Sequence, residues 1–276
     1  MQKRPIFVTG ATGMTGSRIA ARLADRGYTV RRGSRRASPA FDWNDESTWS
    51  ACLDDVAAVY INYSPDTRVS SATDAISGFA DLARRLGVSR FVMLTGRGEE
   101  EAQECERIVL ESGVDSTIVR SAWFNQNFSE GAFLDFVLNG ALRLPAGNVG
   151  EPFVDLDDLA DVVVAALTED WHAGKIYELT GPRLLTFGDV ANELAKANGR
   201  DISYQEVSRE AFVSGMAESG APEEFVFAMD YLFSVVMDGR NSHLSDGVIR
   251  ALGRPPKDFS GFAREVAATG LWRKVA

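Results

Sequence analysis

A glycine-punctuated turn near the N-terminus constrains this chain more than any other feature. Residues 6–8 read Ile-Phe-Val and predict a short buried strand, and Gly10, Gly13 and Gly16 follow at intervals of three. A helical pattern begins directly after them and ends at Gly27. Strand, glycine turn and helix in this order are typical of the unit that binds the pyrophosphate of a dinucleotide. The alternative is a glycine-rich turn that binds no ligand.

A basic segment follows the second predicted strand, which starts at residues 28–30. In NAD-specific enzymes this place carries an acidic residue that binds the ribose 2′-hydroxyl, whereas this chain carries Ser34, Arg35 and Arg36. A guanidinium group is a good partner for a 2′-phosphate. The segment therefore predicts NADP(H) as the cofactor, and a solvated basic strand end is the alternative.

Strand and helix patterns alternate through the first part of the chain, which predicts a doubly wound parallel sheet, the Rossmann fold. Ligands bind at the carboxyl ends of the strands in such a sheet. Asn62, Tyr63 and Ser64 follow a predicted buried strand, so we expect them beside the ribose and nicotinamide. Asp42, after a third short strand, is expected to accept a hydrogen bond from the adenine amino group. Tyr63 fits a packing role equally well.

An aromatic segment at residues 121–128 follows the last of these strands. Its rings alternate with amide side chains, and such rings could stack on a flat substrate or on the nicotinamide. Core packing is the alternative, because aromatic residues also dominate protein cores. The predicted substrate pocket is lined by Tyr63, Trp123, Phe124, Asn127, Phe128 and Phe153.

The length of 276 residues fits one large domain with a smaller appendage. We expect residues 1–150 to form the NADP-binding domain, with its sheet completed by segments from about 151–200. Mostly helical patterns then predict a smaller substrate or lid region at residues 201–276. The aromatic residues between 225 and 233 fit either a lid surface or a core.

The acidic composition excludes several classes of partner. A net charge of −10 and a pI of about 4.8 argue against nucleic acid and against an anionic membrane surface. Two distant cysteines fit a reducing, cytoplasmic setting, and two histidines without a CxxC or HExxH motif predict no metal site. No apolar run is long enough to span a bilayer. A homodimer is compatible with the sequence, which contains no feature that requires one.

Motifs along nearly the whole chain resemble one known family. The motifs are GATGMTG, VRRGSRR, FDWNDESTW, GVSRFVMLTG, SAWFNQNFSEG, PFVDLDDLADV and LGRPPKDF. In these motifs the chain is similar to the NmrA-like proteins of the atypical short-chain dehydrogenase/reductase superfamily. Within them it resembles the ergot-alkaloid festuclavine/agroclavine dehydrogenase-like group and its bacterial relatives.

This resemblance implies a Rossmann domain that binds NADP(H) and a small C-terminal substrate domain. It implies that the pyrophosphate lies beside Gly10, Thr12, Gly13, Met14 and Thr15, with Gly16 as a packing glycine. It further implies that Arg35 and Arg36 bind the 2′-phosphate. Thr95, at the end of a central strand, would lie beside the nicotinamide.

The chain departs from the superfamily in its catalytic residues. Classical members use a Tyr-x-x-x-Lys pair as general acid, but none of the six tyrosines here has a lysine four residues later. We therefore assign no catalytic residue. One function that fits is an NADPH-dependent oxidoreductase for a flat apolar small molecule of quinone, imine or aromatic polyketide type. Water, Tyr63 or Thr95 would supply any proton that such a substrate needs.

Two other functions fit the same residues. The main alternative is a non-catalytic NADP(H)-binding redox sensor that acts through a protein partner. A third and weaker interpretation is a tailoring enzyme that couples two polyketide units.

Overall fold

The computed structural model describes residues 4–63 and 70–273, so the candidate Ser64 lies outside the described residues. The chain divides into two compact units. Unit 1 consists of Met1–Ser121, Leu156–Leu179 and Asp246–Arg254, and unit 2 of Ala122–Asp155, Thr180–Ser245 and Pro255–Ala276. Leu156–Leu179, within the range expected to complete the sheet, adds a strand and a helix to unit 1, and Asp246–Arg254, from the expected helical region, adds one helix.

The regular elements of the described residues are numbered in chain order. The strands are β1 (Ile6–Val8), β2 (Val30–Arg32), β3 (Ala58–Ile61), β4 (Arg90–Gly96), β5 (Asp115–Ser121), β6 (Ala141–Leu144), β7 (Ile176–Leu179) and β8 (Ser203–Glu206). The helices are α1 (Met14–Asp25), α2 (Trp49–Leu53), α3 (Ser70–Arg85), α4 (Ala102–Glu111), α5 (Leu134–Asn139), α6 (Leu156–Thr168), α7 (Phe187–Asn198), α8 (Arg209–Glu218), α9 (Glu223–Tyr231), α10 (Gly247–Leu252) and α11 (Phe259–Thr269).

Unit 1 is built on a parallel sheet in the order β2-β1-β3-β4-β5-β7. Strands β1 and β3 are apolar and all their residues are buried, as expected for a sheet covered on both faces. Helix α1 packs against α6, and α3 packs against α4. The predicted doubly wound parallel sheet is therefore confirmed.

One predicted strand of unit 1 is wrong. The chain before Asp42 forms no strand, and the segment between β2 and β3 is instead a loop with a short 3₁₀ turn at Glu46–Thr48 and the helix α2. Pro39 lacks a backbone donor for a sheet ladder. The Asp42 and Asp45 carboxylates accept hydrogen bonds from backbone N–H groups two residues later, which favours turns over a strand.

Unit 2 contains the parallel pair β6 and β8 and the helices α5, α7, α8, α9 and α11. Helix α7 begins with a capping box, because Thr186 accepts from the Asp189 N–H and Asp189 accepts from the Thr186 N–H. The core of unit 2 is rich in phenylalanine. Within residues 4–63 and 70–273, no helix combines the length and the apolar character that crossing a membrane requires.

Candidate functional site

The carboxyl ends of β1 and β3 mark the place where ligands bind in a sheet of this kind. The chain runs from β1 outward to β2 and then returns to the other side of β1 to form β3, so the strand order reverses between β1 and β3. Parallel α/β sheets bind ligands at such a reversal. Gly10 comes shortly after β1, and Asn62 directly follows β3. The predicted glycine turn and the predicted Asn62 therefore meet at one place.

The glycines of this turn are required by backbone geometry. Gly10 has a φ of +59°, a backbone angle that residues with a side chain rarely adopt. Its carbonyl accepts a hydrogen bond from the Gly13 N–H at 2.9 Å. A Cβ on Gly16 would overlap the backbone of Gly10 and Ala11. The sequence interpretation of Gly16 as a packing glycine agrees with this geometry.

The N-terminus of α1 faces out of the turn without a side-chain cap. Its N-cap residue is Gly13, and no side chain of the described residues caps it. The first N–H groups of a helix have no partner within the helix, and together with the helix dipole they attract an anion. Thr12 and Gly13 are exposed here and Met14 is half-buried. These positions fit a pyrophosphate.

Thr15 differs from its neighbours because its hydroxyl faces inward. The buried Tyr60 hydroxyl donates to Thr15 Oγ1 at 3.1 Å. Burial raises the pKa of Tyr60, which keeps this phenol protonated as a donor. The backbone N–H of Thr15, rather than its hydroxyl, therefore fits the predicted role of binding a phosphate.

The end of β2 is tied to the glycine turn by two backbone hydrogen bonds. The Gly33 N–H donates to the Val8 carbonyl at 2.8 Å, and the Ala11 N–H donates to the Gly33 carbonyl at 3.2 Å. A Cβ on Gly33 would stand 2.7 Å from the Phe7 ring, so only glycine allows this approach. The residues that follow Gly33 are therefore held beside the turn.

Two arginines of this segment are available to a ligand. Arg31 donates to the carbonyls of Cys52 and Asp54 and so has a structural role. Arg35 and Arg36 are exposed, and neither has an ion pair with any residue that the structure describes. Ser34 lies beside them and is half-buried. This arrangement fits the predicted contacts to a 2′-phosphate.

Asn62 is held above the turn by its backbone. Its N–H donates to Thr9 Oγ1 at 2.8 Å, and its carbonyl accepts from the Trp43 indole at 3.2 Å. Its amide nitrogen would be 3.3 Å from a Cβ on Gly10. The sequence did not indicate Trp43 as a supporting residue. Asp42 uses one carboxylate oxygen for the Asn44 N–H at 3.0 Å, and its role toward adenine stays a prediction.

Tyr63 adopts the packing alternative. Its ring lies 5.0 Å from the Trp43 ring and is 6% exposed, within the core of unit 1. The predicted contacts of Tyr63 with cofactor and substrate stay a prediction, and the structure adds no support for them.

Thr95 belongs to a buried polar network that the sequence did not predict. Its hydroxyl lies 2.7 Å from Glu106 Oε1, and the Glu106 carboxylate also accepts from Arg120 at 2.6 Å. Arg120 further pairs with Glu178, which accepts from Arg97 at 3.1 Å. A carboxylate in an ion pair accepts hydrogen bonds and does not donate. Thr95 therefore directs its proton to Glu106 and presents lone pairs elsewhere, which disfavours it as a proton donor.

Glu106 could have been found from the helical pattern. The buried face of α4 is Ala102, Cys105, Glu106 and Val109, a spacing of three and four residues. A charged residue in such a buried face needs a buried partner. The missing information was the identity of that partner, which comes from β5 and is distant in sequence.

The predicted substrate residues of unit 2 separate into two groups. Phe128 is 0% exposed and Phe153 is 2% exposed, and both pack in the core against Phe187 and Phe259. Both residues therefore adopt the packing alternative. A binding pocket would leave their rings accessible, but other rings enclose them here.

Trp123, Phe124 and Asn127 are half-buried and so remain accessible in part. Trp123 stacks on Phe133, with ring centroids 5.6 Å apart and an interplanar angle of 25°. The Trp123 carbonyl accepts from the Val154 N–H at 2.8 Å, which fixes the backbone of this segment. The role of these three residues in substrate binding stays a prediction.

The residues of unit 1 fit a dinucleotide. The turn supplies a concave backbone that a Cβ on Gly16 would disrupt, α1 supplies N–H donors, and Arg35 and Arg36 supply free positive charge. Among the described residues, no group of three or more His, Cys, Asp or Glu side chains is placed to hold a metal ion. This arrangement can bind an anion beside a strand end that also offers hydrogen-bond acceptors.

Comparison with known proteins agrees with this geometry. The family model with the description NAD(P)H-binding matches residues 10–170. The agroclavine dehydrogenase of Claviceps fusiformis is 29% identical, over 97% of this chain and 99% of that protein. The NAD(P)H azoreductase of Xenophilus azovorans is also 29% identical, over 95% of this chain and 98% of that protein.

A solved structure shares the fold. A nucleoside-diphosphate-sugar epimerase from Staphylococcus aureus superimposes with a TM-score of 0.80 at 20% identity, over 94% of this chain and 99% of that one. The family model and the dehydrogenase and azoreductase relatives confirm the predicted resemblance, the oxidoreductase class and the NAD(P)H-binding character.

Proposed function

The chain belongs to the NAD(P)H-binding family, and we propose that it is an NADPH-dependent oxidoreductase that reduces a flat, apolar small molecule of quinone, imine or aromatic polyketide type. The observation that carries the cofactor preference is the pair Arg35 and Arg36, exposed and without an ion pair among the described residues. The Ala11–Gly33 hydrogen bond holds this segment beside the glycine turn.

Each residue of unit 1 has a separate task in this proposal. The backbone of Gly10, Gly13 and the first turn of α1 binds the pyrophosphate. Arg35 and Arg36 bind the 2′-phosphate, with Ser34 beside them. Asn62 contacts the ribose, and Thr95 offers lone pairs to a donor such as the nicotinamide carboxamide. NADPH, when bound, supplies a hydride.

The absence of a Tyr-x-x-x-Lys pair limits the substrates that fit. An iminium ion already carries positive charge and becomes an amine on accepting hydride, so it needs no proton. A quinone becomes a hydroquinone anion whose charge is spread over the ring, and solvent then protonates it. For such acceptors, positioning supplies most of the catalysis. The azoreductase and dehydrogenase names of the relatives agree with electron-poor acceptors of this kind.

Titration calorimetry with NADPH and with NADH tests the cofactor preference. We expect the unaltered protein to bind NADPH at least tenfold more tightly, because each charge-assisted phosphate contact adds about 1–2 kcal/mol. The double variant Arg35→Ala, Arg36→Ala should lose most of this preference and bind NADH as before. Equal losses for the two cofactors would contradict the assignment of the arginines. Arg143→Ala in unit 2 is a control that should change neither affinity.

Substrate turnover separates this proposal from the alternative of a non-catalytic sensor. The enzyme should oxidise NADPH in the presence of menadione or a cyclic iminium. A sensor would bind NADPH with the same preference and turn over neither acceptor.

A further inference from the structure

Unit 2 contains a groove that none of the functional residues above explains. Its volume is about 680 Å³, and α5, α8, α9 and β6 contribute to its lining. The largest apolar side chains that line this groove are Phe133, Phe136, Phe212, Met216, Phe225 and Met229. Small-molecule sites typically have volumes of about 300–1,000 Å³ and mostly apolar, aromatic walls. The groove matches both criteria.

Two of the groove walls are held in place by the aromatic core behind them. Phe133 is 1% exposed and stacks on Trp123. Phe212 contacts Phe233 edge to face, with centroids 5.1 Å apart at 78°. Phe225, in contrast, is 40% exposed. One side of the groove is therefore already packed and rigid. A ligand that binds there orders few side chains, so binding loses little conformational entropy.

The charges of the groove indicate which ligands it favours. Among the described residues that line it, Asp135 and Arg143 are the charged ones, with opposite signs, and both are exposed. Arg143 also donates to Gln205 at 3.2 Å. The remaining lining offers no charge, so a charged group bound against it would lose hydration without a compensating partner.

We propose that this groove binds an uncharged, flat aromatic molecule. Stacking and edge-to-face contacts with the phenylalanine rings stabilise such a ligand by about 0.5–1.5 kcal/mol per ring pair beyond the burial of apolar area.

Gly215 allows the groove to be filled without disturbing the backbone. It lies on α8 and lines the groove, and a Cβ there would meet no heavy atom within 4 Å. Gly261 on α11 has equally open surroundings but does not line the groove. Gly215→Phe and Gly261→Phe are therefore matched variants, and Gly215→Leu is a smaller second variant should the phenylalanine disturb folding.

Calorimetric titration with hydroxymethyl anthraquinone and with anthraquinone sulfonate tests the groove directly, without cofactor. We expect the unaltered protein and Gly261→Phe to bind the uncharged probe equally and to bind the sulfonate at least tenfold more weakly. Gly215→Phe and Gly215→Leu should weaken binding of the uncharged probe at least tenfold. Unchanged binding in folded Gly215 variants, or equal binding of the two probes, would overturn the proposal.

Discussion

The two units build their candidate sites from different parts of the chain. In unit 1 the backbone forms the site, through the φ of +59° at Gly10 and the close approaches at Gly16 and Gly33. In unit 2 the side chains form it, with rings contributed by α5, α8 and α9. A backbone site depends on residues that have no side chain. A side-chain site depends on how rings from distant segments pack.

This difference also sets the chemistry that each unit offers. Unit 1 presents N–H donors and the exposed Arg35 and Arg36, which suit phosphate. The groove of unit 2 presents phenylalanine and methionine with two opposite charges, which suits an uncharged ring. The predictions below test whether each site has the basis described here.

The largest effect is expected from a methyl group at Gly16. In Gly16→Ala the Cβ overlaps the backbone of Gly10 and Ala11. We expect a loss of about 1–3 kcal/mol of unfolding free energy from overpacking. NADPH binding should weaken at least tenfold, because the shift displaces the pyrophosphate turn. Urea unfolding and calorimetric titration measure the two effects.

Gly78→Ala is the matched control, a helical glycine of the same unit whose Cβ would stand 3.6 Å from Trp49, an ordinary contact. Alanine there should leave NADPH binding unchanged and raise the unfolding free energy by about 0.5–1 kcal/mol. If Gly16→Ala behaves like Gly78→Ala, the glycine turn does not depend on backbone approach and the comparison between the units fails.

A smaller effect is expected from the network behind Thr95. Glu106→Gln keeps the size of the side chain but leaves Arg120 with the more distant Glu178 as its ion-pair partner, at 3.5 Å. We expect a loss of about 1–3 kcal/mol of unfolding free energy. Thr95→Val should cost about 1 kcal/mol, since one hydrogen bond is lost.

A double-mutant cycle decides whether Thr95 and Glu106 act together. The double variant should lose about 0.5–1.5 kcal/mol less unfolding free energy than the two single variants lose together. Additive losses would mean that the charge of Glu106 adds nothing measurable to the 2.7 Å hydrogen bond, because the amide oxygen in Glu106→Gln can still accept it. The same variants also report on function, because Thr95→Val should weaken NADPH binding if Thr95 lies beside the nicotinamide.

Sequence patterns predicted much of unit 1 for a physical reason. A strand, three glycines and a helix within twenty residues determine their own geometry, so the doubly wound sheet and the turn at β1 could be anticipated. The spacing of Arg35 and Arg36 from β2 is likewise local. Trp43 and Glu106 were missed because their partners, Asn62 and Arg120, are close only after folding.

Unit 2 was harder to predict because an aromatic residue fits a core and a pocket equally. Phe128 and Phe153 were expected to line a pocket and are enclosed in the core, whereas Trp123 remains half-buried. The groove itself combines residues from Phe133 to Met229, nearly a hundred positions apart. No local pattern specifies which ring of such a set stays accessible.

The last effect concerns acid, to which the two units should respond at different pH. Burial lowers the pKa of His172 in unit 1 below its usual value near 6.5. Hydrogen bonds from Arg183 lower the pKa of Asp258 in unit 2 below 3.8. In both cases the unfolded chain binds the proton more readily, so stability is lost as pH falls. Unit 1 should therefore begin to weaken below about pH 6.5, and the Asp258 contribution should persist to below about pH 4.

Urea unfolding between about pH 7.5 and about pH 5 checks this order. His172 should contribute at most one proton to the pH dependence, or about 1.4 kcal/mol per pH unit. His172→Gln should remove that part of the slope even if it lowers stability at every pH, because its hydrogen bond to Tyr177 at 3.0 Å changes as well. His243→Gln, which replaces the exposed second histidine, is the control. If the slope of stability against pH is unchanged in His172→Gln, a group other than His172 causes the acid response of unit 1. The difference in acid response between the two units is then not due to His172.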